Sequence, residues 1–473
     1  MKTKPVLLLM LLLAGLNGCD LAVIPDQFVP VTDQLKACFT VTSGGCQAPC
    51  DPGFSSACSA NADTYFWEFG DGTTSTAANP AKTYASTGTY NVRLTVSADG
   101  KSSDTTMTVT IGTTVASSAK FIKTLDIDAT SPLEFALGGD EKSDGYYLAV
   151  NTYQKVYMAS VNKSTGALQG TPKEFDPGSA YPALSTQYFN KVSNGYVMSG
   201  FCNFTANGVT TDDFYFIKLK SDFTIESGQQ FFDLNEGSEI GRGFTQTDDG
   251  GYLICGGKST NTNAGVLLIK VNSAYQLQSR KNLFTESKNN YAEQILNTSS
   301  GYAVSGQILN PATSQREGCF FQLKDNLDLT GTPVYFGAFN IFEIIALSDG
   351  GFVLIGGGSS ASRVVRISAS GGTVWDKGFG PGLFRRGFQS GQSLIIAGRS
   401  GSSSTGKAAL YKINLETGAA EWNREFITTG KNADAFFVMP VSDGGFLVLG
   451  TETNTTDKKN TLVVKTDDQG MSN

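Results

Sequence analysis

Apolar and polar positions along most of the chain follow one recurring pattern. A turn that contains Asp or Asn together with Gly precedes an aromatic residue, after which a short apolar run ends at Gly. Because short apolar runs bounded by glycine-containing turns are typical of β-strands, the pattern predicts a strand on each side of every turn. Seven copies occur, the sixth degraded and without the aromatic residue, and they begin at Ser143, Ser193, Asp249, Ser300, Ser348, Ser390 and Ser442.

A second pair of strands follows each of these turns. Examples are the apolar runs at 266–271 and 363–367, which lead through a short turn to strands ending near Phe284 and Phe379. Each repeat of about 50 residues therefore contains four predicted strands, the arrangement of a β-propeller blade. The last repeat has only three strands, and residues 120–125 resemble the outer strands elsewhere. We predict a seven-bladed β-propeller closed by this N-terminal strand, since closure removes exposed strand edges.

The repeat motif also resembles a known type of propeller. The segments SDGGF at 348–352 and 442–446, each followed by an apolar strand and Gly, are similar to propeller repeats of large bacterial surface and secreted proteins. The resemblance covers residues 119–473. It implies the propeller fold and says little about function, because one fold supports many functions.

A different β motif lies upstream of the repeats. The stretch YFWEFGDG at 65–72 is followed by the alternating apolar strand 92–96. These segments resemble the PKD (polycystic kidney disease) domain, with Glu68 where the family has Asp. The resemblance implies an Ig-like β-sandwich over residues 36–112 that serves extracellular proteins as a spacer or interaction module. Asp71, between two glycines, is interpreted as a turn residue rather than a calcium ligand.

The N-terminal segment resembles the leader of a bacterial lipoprotein. Lys2 and Lys4 precede an apolar run that is too short to span a bilayer and that ends at the sequence LNGC, residues 16–19. This resembles a lipobox, from which Asn17 departs. The resemblance implies cleavage before Cys19, acylation of that cysteine, and a lipid-anchored membrane protein of the bacterial cell envelope, at the outer membrane or cell surface. An ordinary secretory leader with an incidental cysteine is the alternative.

Together these patterns predict an all-β protein in which an Ig-like PKD β-sandwich is followed by a seven-bladed β-propeller. The predicted boundaries are a lipoprotein signal peptide at 1–18, a lipidated tether at 19–35, the sandwich at 36–112, a linker at 113–118 and the propeller at 119–473.

Four cysteines of the sandwich are candidates for disulfides. A location outside the cytoplasm favours oxidation, and the spacings do not match paired zinc ligands. Four cysteines allow three connectivities. Their spacing is symmetric about Ala48, so a hairpin centred there would pair Cys38 with Cys58 and Cys46 with Cys50, which is the pairing we predict.

Composition narrows the possible chemistry. The chain contains no histidine, which excludes Ser-His-Asp and Cys-His relays, His-liganded zinc sites and histidine general bases. The net charge of −7 disfavours a nucleic-acid partner, because such partners bind to basic surfaces. We predict neither a cofactor nor a metal site. Cys255 lies within an apolar strand and is interpreted as a core residue.

The longer predicted loops form the candidate binding surface, because functional residues are commonly placed on loops of a rigid scaffold. The loops at 202–213, 258–265, 307–318 and 399–407 are rich in Asn, Thr, Ser and Gly, and in a propeller they lie on the face opposite the Gly-containing turns. Amide and hydroxyl groups beside aromatic rings suit sugars. We therefore predict non-catalytic binding of polysaccharide or of an envelope protein at this face. The candidate ligand-binding residues are Tyr153, Phe201, Phe204, Tyr291 and Phe384.

Two other functions remain open. A glycan-processing enzyme, a hydrolase or lyase without histidine chemistry, would need a suitably placed pair of carboxylates. A purely structural spacer is the third possibility. No spacing singles out a pair among the candidate acids, which are Asp212, Asp213, Glu236, Glu239, Glu293 and Glu343.

Overall fold

The computed structural model describes most of the chain beyond its N-terminal segment. The described residues form β-strands, bridges and turns, and none of them belongs to a helix long and apolar enough to cross a membrane. Cys19, Cys46, Tyr153 and Glu236 lie outside the described residues. The described ranges are 35–42, 50–111, 119–152, 155–175, 183–192, 194–206, 209–226, 230–232, 238–259, 265–287, 289–358, 361–427, 430 and 432–472.

The first β unit contains two small antiparallel sheets. One pairs β1 with β2, and the other has the strand order β4-β3-β5-β6. Alternation along β3 points Trp67 into the core, where its side chain is fully buried and its indole N–H donates to the Ala77 carbonyl at 2.9 Å. The strands are β1 Thr40–Thr42, β2 Gly53–Ser55, β3 Thr64–Glu68, β4 Thr74–Ser75, β5 Gly88–Ala98 and β6 Lys101–Ile111.

The turn after β3 has the predicted local role. Gly70 and Gly72 adopt positive φ angles of 77° and 86°, which a residue with a side chain would adopt only with strain. Between them, Asp71 accepts a hydrogen bond from the Thr73 amide at 3.1 Å and pairs with Lys82 at 2.5 Å. The carboxylate of Asp71 is therefore used to hold the turn.

The disulfide between Cys38 and Cys58 is present, as predicted, with a Cα–Cα distance of 5.2 Å. Cys50 is also disulfide-bonded. The proposed pairing of Cys50 with Cys46 stays a prediction, since Cys46 lies outside the described ranges.

Within the described residues, the second β unit contains seven antiparallel groups of four strands, here called blades 1 to 7; five are separate sheets, and blades 3 and 4 are joined into one eight-stranded sheet. In blades 1 to 6 the four strands pair in sequence order. A single pair, Gly257 with Tyr291, also bridges blades 3 and 4. Blade 1 consists of β8 Glu134–Glu141, β9 Tyr146–Thr152, β10 Val156–Val161 and β11 Lys173–Phe175, and blade 2 consists of β12 Ala183–Val192, β13 Gly195–Ala206, β14 Val209–Leu219 and β15 Gln230–Phe232. Blade 3 consists of β16 Ser238–Gln246, β17 Tyr252–Ser259, β18 Gly265–Val271 and β19 Leu277–Leu283, and blade 4 consists of β20 Tyr291–Thr298, β21 Gly301–Asn310, β22 Gln315–Leu323 and β23 Val334–Tyr335.

Blade 7 differs in its outer strand, which comes from the start of the unit. The strand β7 (Phe121–Leu125) pairs antiparallel with β34 (Lys459–Lys465), from Phe121 opposite Lys465 to Leu125 opposite Thr461. Blade 5 consists of β24 Asn340–Ala346, β25 Phe352–Gly357, β26 Ser362–Ile367 and β27 Thr373–Gly378, and blade 6 consists of β28 Gly382–Ser390, β29 Ser393–Ser400, β30 Lys407–Asn414 and β31 Ala420–Phe426. The other strands of blade 7 are β32 Asn432–Pro440, β33 Phe446–Thr453 and β34 Lys459–Lys465.

The first strands of the blades surround a common centre. Each contacts the first strand of the next blade, and β32 of blade 7 contacts β8 of blade 1, so that the seven strands form a ring. Apolar clusters fill the spaces between neighbouring blades; one of them combines Ile355 of blade 5 with Phe384 of blade 6. This radial arrangement of four-stranded sheets is that of a β-propeller.

The recurring turn joins the first and second strands of a blade. In blade 3, Asp249 accepts a hydrogen bond from the Gly251 amide at 3.1 Å, and its other oxygen pairs with Lys270 on β18 at 3.1 Å. Blade 5 repeats the ion pair with Asp349 and Arg366 at 2.6 Å. The Asp of the motif thus closes the turn and ties it to the third strand.

Candidate functional site

A cavity of about 290 Å³ lies at the centre of the ring. Every blade contributes at least one residue from its first strand, and most of these lie in the first half of that strand. Aromatic rings, amides, carboxylates and guanidinium groups are all present. The lining residues are Phe135, Leu137, Asn151, Ser185, Thr186, Gln187, Tyr188, Arg242, Glu293, Phe342, Arg385, Arg386 and Phe436.

A β-bulge recurs in the first strand of all seven blades and explains this lining. Each first strand shifts register against the second strand at an equivalent place, which leaves an extra residue out of the ladder. Bulges re-aim side chains and bend strands. The extra residues include Leu137, Gln187, Arg242, Glu293, Phe342, Arg385 and Phe436, and every one of these lines the cavity.

Two ion pairs cross the cavity wall. Arg242 donates to Glu293 at 2.8 Å, and the Tyr188 hydroxyl donates to the other oxygen of Glu293 at 3.2 Å. Glu343 accepts a hydrogen bond from the side-chain amide of Gln294 at 2.5 Å, and its other carboxylate oxygen lies 3.7 Å from Nε of Arg386. Both glutamates therefore have partners that hold them in place.

Burial acts on both carboxyl groups. It raises the pKa of Glu343 to about 6 and also raises the pKa of Glu293, while the neighbouring arginines act in the opposite direction. Of the candidate acids, Glu293 lines the cavity, and Glu343 lies 3.7 Å from Arg386 of the cavity wall. Each of these two glutamates therefore has a guanidinium group beside it.

Arg385 differs from the other two arginines of the cavity. Its guanidinium carbon lies 4.7 Å from the ring centre of Phe342 and 5.2 Å from that of Phe436. Its Nε is buried without a hydrogen-bond partner, and among the described residues Arg385 forms neither a hydrogen bond nor an ion pair. Burial lowers the pKa of Arg385 from its ordinary value, because the charged form loses solvation.

The predicted ligand-binding aromatics lie in different environments. Tyr291 is half-buried beside the cavity, with the Arg242 guanidinium carbon 4.4 Å from its ring centre. Phe201 is half-buried on β13, opposite Ser185 of the cavity wall. The side chain of Phe204 and all of Tyr153 lie outside the described parts of the structure.

The assignment of Phe384 as a ligand-binding residue was wrong. Its side chain is fully buried in the core between blades 5 and 6, against Tyr411 at 4.7 Å between ring centres. Sequence alone offered no signal that its neighbour Arg385 faces the cavity instead, because the bulge that follows Phe384 interrupts the alternation of inward and outward residues.

The free cysteines of the described chain lie in the interior of the blades. Cys202, Cys255 and Cys319 are buried free thiols, and burial raises the pKa of Cys202 to about 12. Cys255 is a core residue, as predicted. The described residues contain no group of three or more His, Cys, Asp or Glu side chains that would hold a metal ion.

Comparison with known proteins identifies the first β unit. Residues 30–115 match the family model of the PKD domain. This segment is a PKD domain. A stretch of 101 residues is also 34% identical to collagenase ColA of Bacillus cereus, covering 21% of this chain and 10% of that protein. The chain thus spans about a tenth of the length of this relative.

Solved propeller-type structures are similar to larger parts of the chain. The AfRom2 CNH domain matches with a TM-score of 0.41 and 10% identity, over 72% of this chain and 98% of that one. Chaetomium thermophilum Sqt1, solved with the N-terminus of a ribosomal protein, matches with a TM-score of 0.42 and 9% identity, over 68% and 81%. The WD40 propeller of Doa1 matches with a TM-score of 0.37 and 11% identity, over 70% and 96%.

Proposed function

We propose that this protein is a non-catalytic, carbohydrate-binding protein of the bacterial cell envelope and that the central cavity of its propeller holds the ligand. The PKD domain and the propeller-like fold by themselves indicate a binding or structural role. The observation that favours binding is the cavity lined by all seven bulged strands, which combines phenylalanine rings with hydrogen-bonding groups.

The chemistry of the wall suits a saccharide. Phe135, Phe342 and Phe436 present apolar rings, and Asn151 and Gln187 add amide groups. Ligand pockets typically combine an apolar lining with a few polar groups that fix orientation. A volume of about 290 Å³ is at the low end of the usual range of about 300–1,000 Å³, which favours a small ligand or one unit of a longer chain.

The location of the cavity also supports binding of an extended polymer. The cavity residues cluster in the first halves of the first strands, which begin on the face that carries the connections between blades. Since neighbouring strands are antiparallel, the loops between second and third strands lie on the same face. The polar segments that the sequence marks as the binding surface contain these connections together with the strand ends beside them, and they would flank a polymer entering the cavity.

The arrangement of the carboxylates favours binding over hydrolysis. A glycosidase needs one carboxyl group as acid and a second as base or nucleophile, both available to the substrate. Here Glu293 is held by Arg242 at 2.8 Å, and Glu343 is held by the Gln294 amide at 2.5 Å. We therefore prefer non-catalytic binding to a glycan-processing activity.

The proposed setting follows from the leader. Acylation of Cys19 would anchor the chain to a membrane, and the PKD domain would act as a spacer between the anchor and the propeller. Labelling cells with an alkyne analogue of palmitate tests this step. We expect label and membrane association in the natural chain and loss of both in the Cys19→Ser variant; a labelled or membrane-bound variant would contradict the anchor.

Binding is tested with the full chain, purified in mild detergent, on an array of neutral, uronate-containing and sulfated glycans. Each bound glycan is then incubated with the protein and analysed for products. We expect saturable binding without products. The Phe342→Ala variant removes one ring of the cavity and should weaken binding, whereas Phe66→Ala removes an exposed ring of the PKD domain and should not.

Three results would redirect the proposal. Products released from a bound glycan would establish the enzymatic alternative. Equal effects of the Phe342→Ala and Phe66→Ala variants would place binding outside the cavity. Failure of the whole array would refute carbohydrate binding, and crosslinking in the envelope would then identify a protein partner.

A further inference from the structure

The cavity holds more positive than negative groups, and this imbalance defines the ligand more narrowly. Three arginines line it, Arg242, Arg385 and Arg386, against one lining carboxylate, that of Glu293. The carboxylate of Glu343 lies beside the wall, 3.7 Å from Arg386. Building on the proposed function, we infer that the ligand is an acidic saccharide and that its carboxylate pairs with Arg385.

Neighbouring acids do not neutralise Arg385. Glu293 is bonded to Arg242 at 2.8 Å, and Glu343 is within 3.7 Å of Arg386. Asp434 is the other carboxylate whose charge acts on Arg385, and a nitrogen of Arg399 binds both of its oxygens at 3.0 Å. Each of these acids therefore has an arginine of its own.

The position of Arg385 prepares it for an anion. The Phe342 and Phe436 rings pack within 4.7 Å and 5.2 Å of its guanidinium carbon, and cation–π attraction favours this placement. Phe436 is itself braced edge-on by Phe135, with 5.4 Å between ring centres. The rings occupy space around the guanidinium without using its N–H donors, so those donors remain available.

A guanidinium in this setting needs a counter-charge. Arginine stays protonated in proteins, and a charge that is partly buried without a partner is costly. The planar fork of its N–H groups matches a carboxylate through two parallel hydrogen bonds. A uronate would place that carboxylate beside a sugar ring whose apolar face can pack on the surrounding phenylalanines, which satisfies both halves of the site.

The test compares two trisaccharides that differ only in charge. Isothermal titration measures the Kd of tri-galacturonate and of its fully methyl-esterified form for the full chain. We expect the acid to bind about ten- to a hundredfold more tightly than the ester, as charge-assisted hydrogen bonds are lost on esterification. Because this comparison uses the natural chain, it does not depend on the folding of any variant.

Two variants then locate the effect. Arg385→Gln removes the charge and should bring the acid to the affinity of the ester. The matched control is Arg93→Gln, which makes the same change in an exposed ion pair on the PKD domain and should leave both affinities unchanged. Thermal unfolding verifies that each variant is folded.

The results separate this inference from the proposed function. Equal binding of acid and ester, or retention of the acid preference by Arg385→Gln, would overturn the role of Arg385 while carbohydrate binding stands. Absence of tri-galacturonate binding would overturn the inference even where the array shows neutral glycans bound. If sodium sulfate at matched ionic strength blocks the cavity as well as tri-galacturonate does, the site binds inorganic anions and the acidic-sugar assignment is wrong.

Discussion

Glu134 holds the junction between the last and the first blade. It is fully buried at the start of β8, and its two oxygens accept four hydrogen bonds. One oxygen accepts from the amides of Ile127 and Asp128 at 2.8 and 2.9 Å; the other accepts from the Thr461 amide at 3.0 Å and the Thr461 hydroxyl at 2.8 Å. One carboxylate thus joins blade 1, the connection after β7, and strand β34 of blade 7.

The Glu134→Gln variant keeps the shape but replaces one acceptor oxygen with an NH₂ group. Two hydrogen bonds to a charged acceptor are then lost, each worth about 1.5–3 kcal/mol, and a donor faces the remaining N–H or O–H groups. Removal of a buried negative charge offsets part of this loss. We expect the free energy of unfolding of the propeller to fall by about 2–4 kcal/mol.

Urea unfolding followed by the fluorescence of Trp375 and Trp422, which both lie in the propeller, measures this change. The matched control is Glu174→Gln, because Glu174 is exposed and pairs with Lys155 at 2.9 Å on the surface. We expect the control to change stability by less than about 1 kcal/mol. If Glu134→Gln is as stable as this control, the carboxylate does not hold the blade junction and the reasoning fails.

Three further predictions concern other parts of the molecule. Hydrogen bonds, led by that from the Thr247 hydroxyl, lower the pKa of Asp249 to about 2 from its ordinary 3.8. The ionised Asp249 side chain therefore contributes fully to stability above pH 3.8, and this contribution is lost as the pH falls towards 2. The Asp249→Asn variant should make acid unfolding less steep over this interval, and an unchanged profile would contradict the turn role. The Cys38→Ser variant removes a disulfide with a sequence separation of 20. Because this disulfide restricts the unfolded chain, its loss should lower the unfolding free energy of the PKD domain by about 3 kcal/mol in a urea titration. A loss below about 1 kcal/mol would contradict this entropic contribution. The Phe384→Ala variant should destabilise the propeller by about 3–5 kcal/mol, because it leaves a cavity in the core. The Kd of the folded variant for glycans should not change, and weaker binding at an equal folded fraction would show that Phe384 contributes to the binding site.

The candidate site shows where sequence reasoning ends. Six carboxylates were possible functional residues, and the fold brings Glu293 into the cavity wall and Glu343 beside Arg386 of the same wall, although about one blade of sequence separates the two glutamates. Spacing within a sequence cannot reveal such a meeting, because it depends on the angle through which each blade turns the chain around the axis. The two arginines that hold these glutamates were absent from the sequence-based list for the same reason.

The sequence by itself determined the local architecture of this protein. The Gly-containing turns and the alternation around them specify four-stranded repeats, because turn geometry and a period of two are properties of neighbouring residues. The PKD motif with buried Trp67, and the Cys38–Cys58 disulfide, followed from equally local patterns.

Tertiary structure alone decided which side chains meet at the centre. A bulge of one extra residue in each first strand interrupts the alternation of side chains; in blade 6 Arg385 faces the cavity, whereas its neighbour Phe384 lies in the core. The site combines residues from first strands that lie about 50 positions apart in the sequence, and these strands meet because the seven blades form a ring. The chemistry of the cavity is therefore a property of the ring rather than of any single repeat.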